Sequence, residues 1–566
     1  MFFPRCFSFT SVAAATIASA LLSTAAGADT LYTNANGYTL TSPAGENAVL
    51  QQFSSILVDN GKIKAIGGDE LNERYSSTDD IVNLQGKTVL PGLIDAHGHV
   101  LGLGNSLLQV DLRDSTSVQD AAQRVKRYAD EQQALPWITG RSWNQENWEE
   151  KRFPRASDLD ELVNERPVWL TRVDGHAGWA NSEALRLAGI DKDTVSPDGG
   201  EIVKDENGQP TGVLIDNAMQ LVEKVIPEAS FEQQRQAFQL AFEHLVERGI
   251  TSVHDAGISA DEVSVYKGLH NQGLMPLRIY GMLAATEPKL PQLLAEGPYY
   301  TDDNKLTIRS VKIYADGALG SRGAALIEDY SDDHGNHGLM VTSQEQMMSL
   351  YRLIIPQGFQ VNTHAIGDRA NRVVLNNIEK AYETMGGRNL RNRIEHSQIV
   401  HPDDLHRFKE LNLVASMQPT HATSDKNMAE DRLGKARMKG AYAWQTFLQQ
   451  GTIVASGSDF PVELANPFYG LHAAVTRQDR ENMPEGGWYA DESMSRAQAL
   501  RSFTIDAAYS AWQEQQLGSL EPGKWADFII VDQDPFAVDA EDIWRTNVQA
   551  TYVAGERVYS KGDNDE

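Results

Sequence analysis

Between residues 89 and 514, short apolar runs alternate with longer segments that have the periodicity of amphipathic helices. This alternation predicts an α/β fold with a parallel sheet, and eight strands predict a closed (β/α)8 TIM-like barrel. In such a barrel the loops at the carboxyl ends of the strands carry the active site. The predicted strands are residues 89–96, 251–255, 277–283, 309–315, 360–364, 393–396, 414–418 and 453–458.

Two further regions lie outside this alternation. The gap between the first two predicted strands is far longer than one crossover requires, so residues 140–227 are predicted to form a subdomain inserted over the barrel mouth. Residues 29–88 and 515–566 contain short β-like runs, and neither piece is long enough to bury a core alone. We expect these two pieces to form one small composite β-sandwich from both ends of the chain.

The first 28 residues have the pattern of a signal peptide that is cleaved on export. Arg5 precedes a small, apolar stretch at residues 11–22, and Ala26-Gly27-Ala28 forms an A-x-A cleavage site. The pattern predicts a periplasmic or secreted protein; a buried N-terminal helix is the alternative. Cys6, the only cysteine, lies in this segment, so the exported chain would have no thiol for a disulfide or a metal.

The charge of the chain restricts its partners. It has 50 basic and 78 acidic residues, a formal net charge of −28. Nucleic acids and anionic membranes are bound through basic patches, so neither is expected as a partner. The charge favours small molecules that are neutral or cationic, and it leaves open whether copies of the chain form a homo-oligomer.

A pair of histidines, His97 and His99, ends the first predicted strand. Side chains at i and i+2 of a strand point to the same face, so the two imidazoles can bind one metal ion. Alone, this spacing is a weak signal. Polar side chains in apolar strands need partners, however, and four more stand on or just after the other predicted strands: Lys312, His364, His396 and Asp459. A metal site at the barrel mouth would supply those partners.

Seven motifs in this order resemble the amidohydrolase superfamily, and in particular its large-insert branch (amidohydrolase family 3), which contains the N-substituted formamide deformylases. They span nearly all of the chain that follows the predicted signal peptide. The motifs are specific for the branch but not for a substrate. They are LPGLIDAHGHV (90–100), DGHAGWANS (174–182), VKIYADGALGSRGAA (311–325), NTHAIGD (362–368), RIEHS (393–397), QPTH (418–421) and GSDFP (457–461).

The resemblance implies a role for each of these polar residues. His97 and His99 would bind one divalent ion and His364 and His396 a second. Lys312, carboxylated on its amine by CO₂, would bridge the two ions, and Asp459 would be both a ligand and the proton shuttle. Zinc is the metal that such nitrogen and oxygen donors favour, although manganese, nickel or iron also fit. A metal-activated hydroxide would then attack the carbonyl carbon of a small-molecule amide.

Other functions remain open at this point. A single ion held by His97, His99, one later histidine and Asp459 is the alternative to two ions, with Lys312 only hydrogen-bonded. The favoured activity is hydrolysis of a linear amide or N-acyl compound, including N-formyl compounds. Cyclic amidase or deaminase activity would use the same core. A non-catalytic binding or adhesion protein that keeps the metal is the alternative from a different class.

Several further residues are predicted to face the substrate. His176, in the insert, is expected to contact or polarise the substrate, with a structural loop histidine as the alternative. His254 and His421 follow or end barrel strands and are candidate pocket residues. Three more residues are candidate substrate contacts: Trp143, Trp179 and Arg322. The alternative for the two tryptophans is burial in the core, and the alternative for the arginine is an ion pair on the surface.

Overall fold

The computed structural model of the chain describes residues 29–41, 49–78, 80–133, 135–227 and 230–562. The predicted signal peptide, residues 1–28, lies outside the described residues. In the part of the chain that is described, no helix has both the length and the apolar character needed to cross a membrane.

Eight parallel strands form the nearly closed barrel of the central sheet, and a short ninth strand, Tyr299–Tyr300, pairs antiparallel with the fourth. In chain order, barrel strands 1 to 8 are Leu93–Gly98, Ile250–Ile258, Arg278–Ala284, Leu306–Tyr314, Gln360–Ala365, Arg393–His396, Val414–Met417 and Ile453–Ser456. The two ends of the sheet meet where the backbone N–H of Asp459 donates to the His97 carbonyl at 2.7 Å and that of His99 donates to the Phe460 carbonyl at 2.8 Å. The predicted α/β barrel is therefore confirmed.

Helices alternate with these strands, and several begin at sequence-encoded caps. Ser259 and Ser343 each form a capping box with a Glu or Gln three residues later, which satisfies free N–H groups of the first turn. The helices from residue 231 onward are Phe231–Val246, Ala260–Asn271, Leu290–Ala295, Gln344–Ile354, Asp368–Met385, Arg407–Glu410, Pro419–Asp425, Ala429–Leu433, Trp444–Gln449, Pro467–Thr476, Arg496–Ser502 and Ile505–Ser510. Their apolar faces and the barrel strands share one large hydrophobic core.

Strands from both ends of the chain share one six-stranded sheet, which faces a four-stranded sheet across a common core. The six-stranded sheet contains Asn36–Leu40, Leu50–Phe53, Thr88–Pro91, Phe528–Val531, Val548–Val553 and Glu556–Ser560. The four-stranded sheet contains Thr30–Thr33, Ser55–Asp59, Lys62–Gly67 and Asp80–Asn83, and the helix Asp69–Arg74 accompanies it. The predicted first barrel strand, 89–96, is in fact two strands, because the chain passes from the terminal sheet to the barrel at Gly92.

The insert after barrel strand 1 is built on a six-stranded mixed sheet. Its strands are Val110–Asp111, Ile138–Trp143, Val168–Arg172, Ala177–Ala180, Gly200–Lys204 and Pro210–Asp216. Its helices are Val118–Glu131, Ala156–Asp160, Ser182–Ala188 and Gln220–Glu223, with Val100–Ser106 leading into it from the barrel. Two separate hydrophobic clusters are built from the residues of this insert. The sheet begins before residue 140, because the strand Val110–Asp111 pairs with Ile138–Trp143.

Candidate active site

A cavity of about 730 Å³ lies at the carboxyl ends of the barrel strands, with walls from both the barrel and the insert. Five of the six predicted metal-binding side chains line it, and the sixth, His97, is fully buried beside them. The insert contributes a second group of polar side chains, which includes Arg141, His176 and Asp216.

His97 and His99 end barrel strand 1, and each ring is held through its Nδ1 atom. His97 Nδ1 lies 2.5 Å from Glu395 Oε2, and His99 Nδ1 lies 2.9 Å from the Ala256 carbonyl oxygen. The Nε2 atoms of both rings face Asp459, at 3.6 Å from Oδ1 for His97 and 3.0 Å for His99. The two Nε2 lone pairs and the carboxylate therefore converge on a small region.

Lys312 lies on barrel strand 4, with its amine 3.0 Å from His97 Nε2. The side chain is buried and lies over the ring of Tyr314. Burial lowers the pKa of the Lys312 amine to about 8, although Glu395 and Asp459 oppose this shift. The amine is still mostly protonated near neutral pH, but its neutral fraction is far larger than that of an ordinary lysine.

His364 and His396, from barrel strands 5 and 6, are adjacent. Their ring centres are 4.5 Å apart, and the His396 ring is 4.8 Å from that of His97. His396 Nδ1 lies 2.8 Å from Gln418 Oε1, which fixes the orientation of the ring. Burial holds the pKa of both histidines well below the usual range. The rings are thus neutral, the form in which imidazole binds metals.

Asp459 follows barrel strand 8 and occupies the centre of the cluster. Its backbone has a φ of 60°, which is uncommon for a residue other than glycine. Burial raises the pKa of the Asp459 carboxyl, but the electrostatic interaction with His97 and the hydrogen bond to His99 outweigh it and hold the pKa well below its usual range. Asp459 is therefore a carboxylate within reach of several imidazoles.

The donor atoms fit a divalent metal. Two overlapping groups have their nitrogen and oxygen atoms within 4.8 Å of one another: His97, His99 and Asp459, and His396, His421 and Asp459. His421 Nε2 is buried and has no hydrogen-bond partner in the described structure, and Asp459 Oδ1 meets the Nε2 atoms of His97 and His99. A buried polar atom without a partner is costly, and a bound cation supplies one. His421, predicted as a substrate contact, is thus also a candidate ligand.

His176 lies in the cavity wall, as predicted for a residue that contacts substrate. Its Nδ1 atom is 2.6 Å from Asp216 Oδ1, and its ring is 5.4 Å from that of His364. Burial lowers the pKa of His176, but the hydrogen bond and the charge of Asp216 prevail and raise it to about 9. His176 is therefore a cationic imidazole beside the donor cluster.

The structure places four other predicted substrate residues away from the cavity wall. His254 lies deep in the barrel, 3.0 Å from Arg393 Nη1, because strand 2 continues beyond it to Ile258. Trp143 and Trp179 are fully buried in the insert. Their indole N–H groups donate to the carbonyls of Leu170 and Arg155.

Arg322 pairs with Asp332, at 3.0 Å between Nη2 and Oδ2, and is directed away from the cavity. For the tryptophans and this arginine, the structure matches the simpler roles of core residue and ion-pair partner.

Several polar residues of the site were not predicted from the sequence, among them Arg113, Arg141, Asp216, Glu395 and Gln418. Glu395 directly precedes His396, and successive residues of a regular strand point to opposite faces. His396 has a φ of 75°, so the strand is irregular there and both side chains face the cluster. Glu395 stands next to His396 in the RIEHS motif and could have been proposed from it. Strict alternation, however, places Glu395 on the face of the strand opposite His396.

A parallel barrel with imidazole and carboxylate donors at its mouth defines a metal-dependent barrel hydrolase. The sequence matches the amidohydrolase family over residues 80–559, and the chain belongs to this family. It is therefore a hydrolase that acts on carbon–nitrogen bonds.

Individual relatives agree with this assignment. Protein LONG AFTER FAR-RED 3 of Arabidopsis thaliana is 35% identical over 94% of this chain and 92% of its own length. The N-substituted formamide deformylase of Arthrobacter pascens is 26% identical over 90% of this chain and 95% of its own. A metal-dependent hydrolase of Pyrococcus horikoshii OT3 has a similar structure, with a TM-score of 0.72 and 29% identity over 90% of this chain and 99% of its own.

Proposed function

We propose that this amidohydrolase cleaves linear amides of the N-acyl type, including N-formyl amines, to a carboxylate and an amine. The observation that carries the proposal is the convergence of four buried or partly buried imidazoles around the Asp459 carboxylate, beside a cavity large enough for a small organic molecule. The name of the formamide deformylase relative supports the N-acyl and N-formyl substrate class.

We assign the ligands as follows. His97 and His99 would hold one divalent ion together with Asp459, and His364 and His396 would hold a second. Lys312 would bridge the two after its amine is carboxylated, and the lowered pKa of Lys312 supports this because CO₂ reacts only with a neutral amine. Zinc is the metal proposed for these nitrogen and oxygen donors.

Bound divalent ions would lower the pKa of water and polarise the substrate carbonyl. Asp459 would accept the proton of the attacking water and donate it to the departing nitrogen. Its depressed pKa keeps the group ionised, which is the form that can accept a proton. His176, held by Asp216, would donate a hydrogen bond from its remaining N–H to the carbonyl oxygen as negative charge develops there.

The first test measures hydrolysis of N-formyl and N-acyl amines by the metal-loaded enzyme and by Asp459→Asn. We expect the substitution to lower kcat about 10²–10⁴-fold, because it removes the proton carrier. Asp130→Asn is the matched control, since Asp130 is exposed on a helix of the insert, where it pairs with Lys126. This control should leave kcat unchanged.

The same assay separates the alternatives. Turnover of cyclic amides or release of ammonia, without cleavage of linear amides, would replace the proposed substrate class. Full metal occupancy with no turnover of any substrate would favour a binding protein. Metal analysis of the active enzyme gives the stoichiometry, and full activity with one ion would contradict the two-ion assignment.

A further inference from the structure

Arg141 places a guanidinium in the cavity wall without a carboxylate partner. It belongs to the insert strand Ile138–Trp143 and lines the cavity. Within the described part of the chain, its side chain has one hydrogen bond, from Nη2 to the Val173 carbonyl at 3.3 Å, and its buried Nε has none. A partly buried charge with so few partners is costly unless a ligand supplies them.

A β-bulge sets the direction of this side chain. The register with the neighbouring strand Val168–Arg172 shifts between Arg141 and Trp143, and Ser142 has a φ of 76°. Residues other than glycine rarely adopt a positive φ, and bulges redirect side chains beside active sites. The Arg141 carbonyl in turn accepts a hydrogen bond from the Leu112 N–H at 2.9 Å, so the backbone on this side is fixed.

Arg113 adds a second positive charge beside Arg141. Its guanidinium donates to the Pro461 and Val462 carbonyls at 2.6 and 2.7 Å, in the loop that directly follows Asp459. Burial, and then the charge of Arg113, lower the pKa of Arg141 to about 10 against the opposing charges of Asp459, Asp174 and Asp111, so Arg141 is charged at neutral pH. Among the described residues no acid forms an ion pair with either arginine, and two neighbouring cations of this kind favour an anion in the space that they line.

We infer that Arg141 and Arg113 bind a carboxylate of the substrate, so that the enzyme acts on amides that carry one, such as N-acyl amino acids. This inference rests on the proposed function, because it names the substrate class of the same site. A guanidinium matches a carboxylate with two parallel hydrogen bonds. In an N-acyl α-amino acid a single carbon separates the carboxylate from the amide nitrogen. The contacts of Arg113 with the loop after Asp459 place the anion site close to the carboxylate that would protonate this nitrogen.

The inference differs from the expectation based on net charge. The chain carries −28 overall, which favours neutral or cationic molecules. A cleft responds mainly to the charges that line it, since low-dielectric walls focus the local field and salt screens distant charges. Acidic side chains, including Asp174 and Asp216, also line this cavity. We therefore rest the inference on the local pair Arg141 and Arg113, which a substrate carboxylate would contact directly.

The test is calorimetric binding of N-acetylleucine and N-acetylleucinamide to metal-depleted enzyme, in which carboxylate coordination to a metal cannot contribute. We expect the acid to bind at least about tenfold more tightly than the amide, and R141Q to abolish this preference. Arg186→Gln is the control, because Arg186 is exposed on the same insert and pairs with Glu183. It makes the same change in net charge and should keep the preference.

Equal binding of the acid and the amide, no measurable binding of the acid, or a preference that survives in R141Q would each overturn the inference. Thermal unfolding of R141Q near the wild-type midpoint would show that the fold is intact. If R141Q unfolds at a lower temperature, Arg141→Lys is used instead. Lysine keeps the charge but cannot form the paired hydrogen bonds, so the preference for the acid should weaken.

Hydrolysis assays separate the two proposals. Cleavage of neutral N-acyl amines without a preference for acids would support the proposed function and contradict the carboxylate site. Selective binding of acids with no cleavage of any amide would contradict only the proposed function.

Discussion

The imidazoles of the metal cluster owe their orientation to particular hydrogen-bond partners. Glu395 contacts His97, the Ala256 carbonyl contacts His99, and Gln418 contacts His396. Burial raises the pKa of Glu395, but the electrostatic interaction and hydrogen bond with His97 and the charge of Arg393 hold it below the usual value. Burial lowers the pKa of His97 to about 4, so its ring is neutral. Glu395 is therefore a carboxylate that accepts the Nδ1 proton of His97, which leaves the Nε2 lone pair free for a metal.

Glu395→Gln should weaken metal binding while the fold is retained. The amide keeps the size of the side chain but loses the charge that fixes the His97 tautomer, so we expect metal affinity to fall about 10–100-fold. The measurement is metal retained against increasing concentrations of a chelator. Glu410→Gln is the control, since Glu410 pairs with His406 on the exposed surface. Unchanged metal affinity in Glu395→Gln would show that Glu395 does not orient His97.

The sequence was sufficient to bring the six candidate ligands together because each stands on or directly after a barrel strand. It was not sufficient for Glu395 or Arg141. Both depend on irregular backbone, at His396 and at Ser142, where the alternation of side chains along a strand fails. His254 shows the converse error, since its position is correct for strand 2 but too deep in the barrel to reach the cavity.

The junction of strands 1 and 8 is tightly packed beside the site. Gly457 follows strand 8, and a Cβ atom there would lie 2.5 Å from the His97 backbone nitrogen and 2.6 Å from Asp95 Oδ1. Asp95 accepts hydrogen bonds from the hydroxyl and the backbone N–H of Ser458 and from the N–H of His97. These polar contacts close the barrel and leave no room for a side chain at position 457.

Gly457→Ala should push strand 8 away from strand 1, and we expect it to lower the free energy of unfolding by about 1–3 kcal/mol. Gly268→Ala is the matched control. Gly268 lies inside the helix Ala260–Asn271, and a Cβ atom there would meet no atom within 4 Å, so the change should stabilise the protein by about 0.5–1 kcal/mol. Urea unfolding of both variants gives the two shifts. A Gly457→Ala protein as stable as the wild type would show that the junction can relax.

Element boundaries were predictable where a strand stands alone between polar segments. Strand 6 was predicted at residues 393–396, where the structure has it. Residues 89–96 were not divided correctly, because two consecutive buried strands have the same apolar pattern as one. The two-residue strand Val110–Asp111 is too short to leave any pattern, so the start of the insert sheet was missed.

At the scale of the whole molecule, one buried ion pair joins the barrel to the terminal sheets. Arg278, on barrel strand 3, donates to both carboxylate oxygens of Asp527, at 2.7 and 2.9 Å. Asp527 precedes the terminal strand Phe528–Val531 and also accepts from the Ala554 N–H at 2.7 Å. The guanidinium is fully buried and lies over the ring of Trp525. This ion pair thus joins barrel strand 3 to the terminal strand Phe528–Val531, which is distant in the sequence.

Asp527→Ala should therefore destabilise the whole protein rather than the terminal sheets alone. It leaves the Arg278 charge buried without its partner, and breaking such a pair costs about 3–5 kcal/mol. The double variant Arg278→Met/Asp527→Leu removes both charges and replaces them with apolar volume, so we expect it to recover most of that loss. The measurement is urea unfolding followed by two signals, tryptophan fluorescence and far-UV circular dichroism. Coincident transitions at lower urea would show that barrel and sheets unfold together. Two separated transitions in Asp527→Ala, with the barrel transition unmoved, would show that the ion pair stabilises only the terminal sheets.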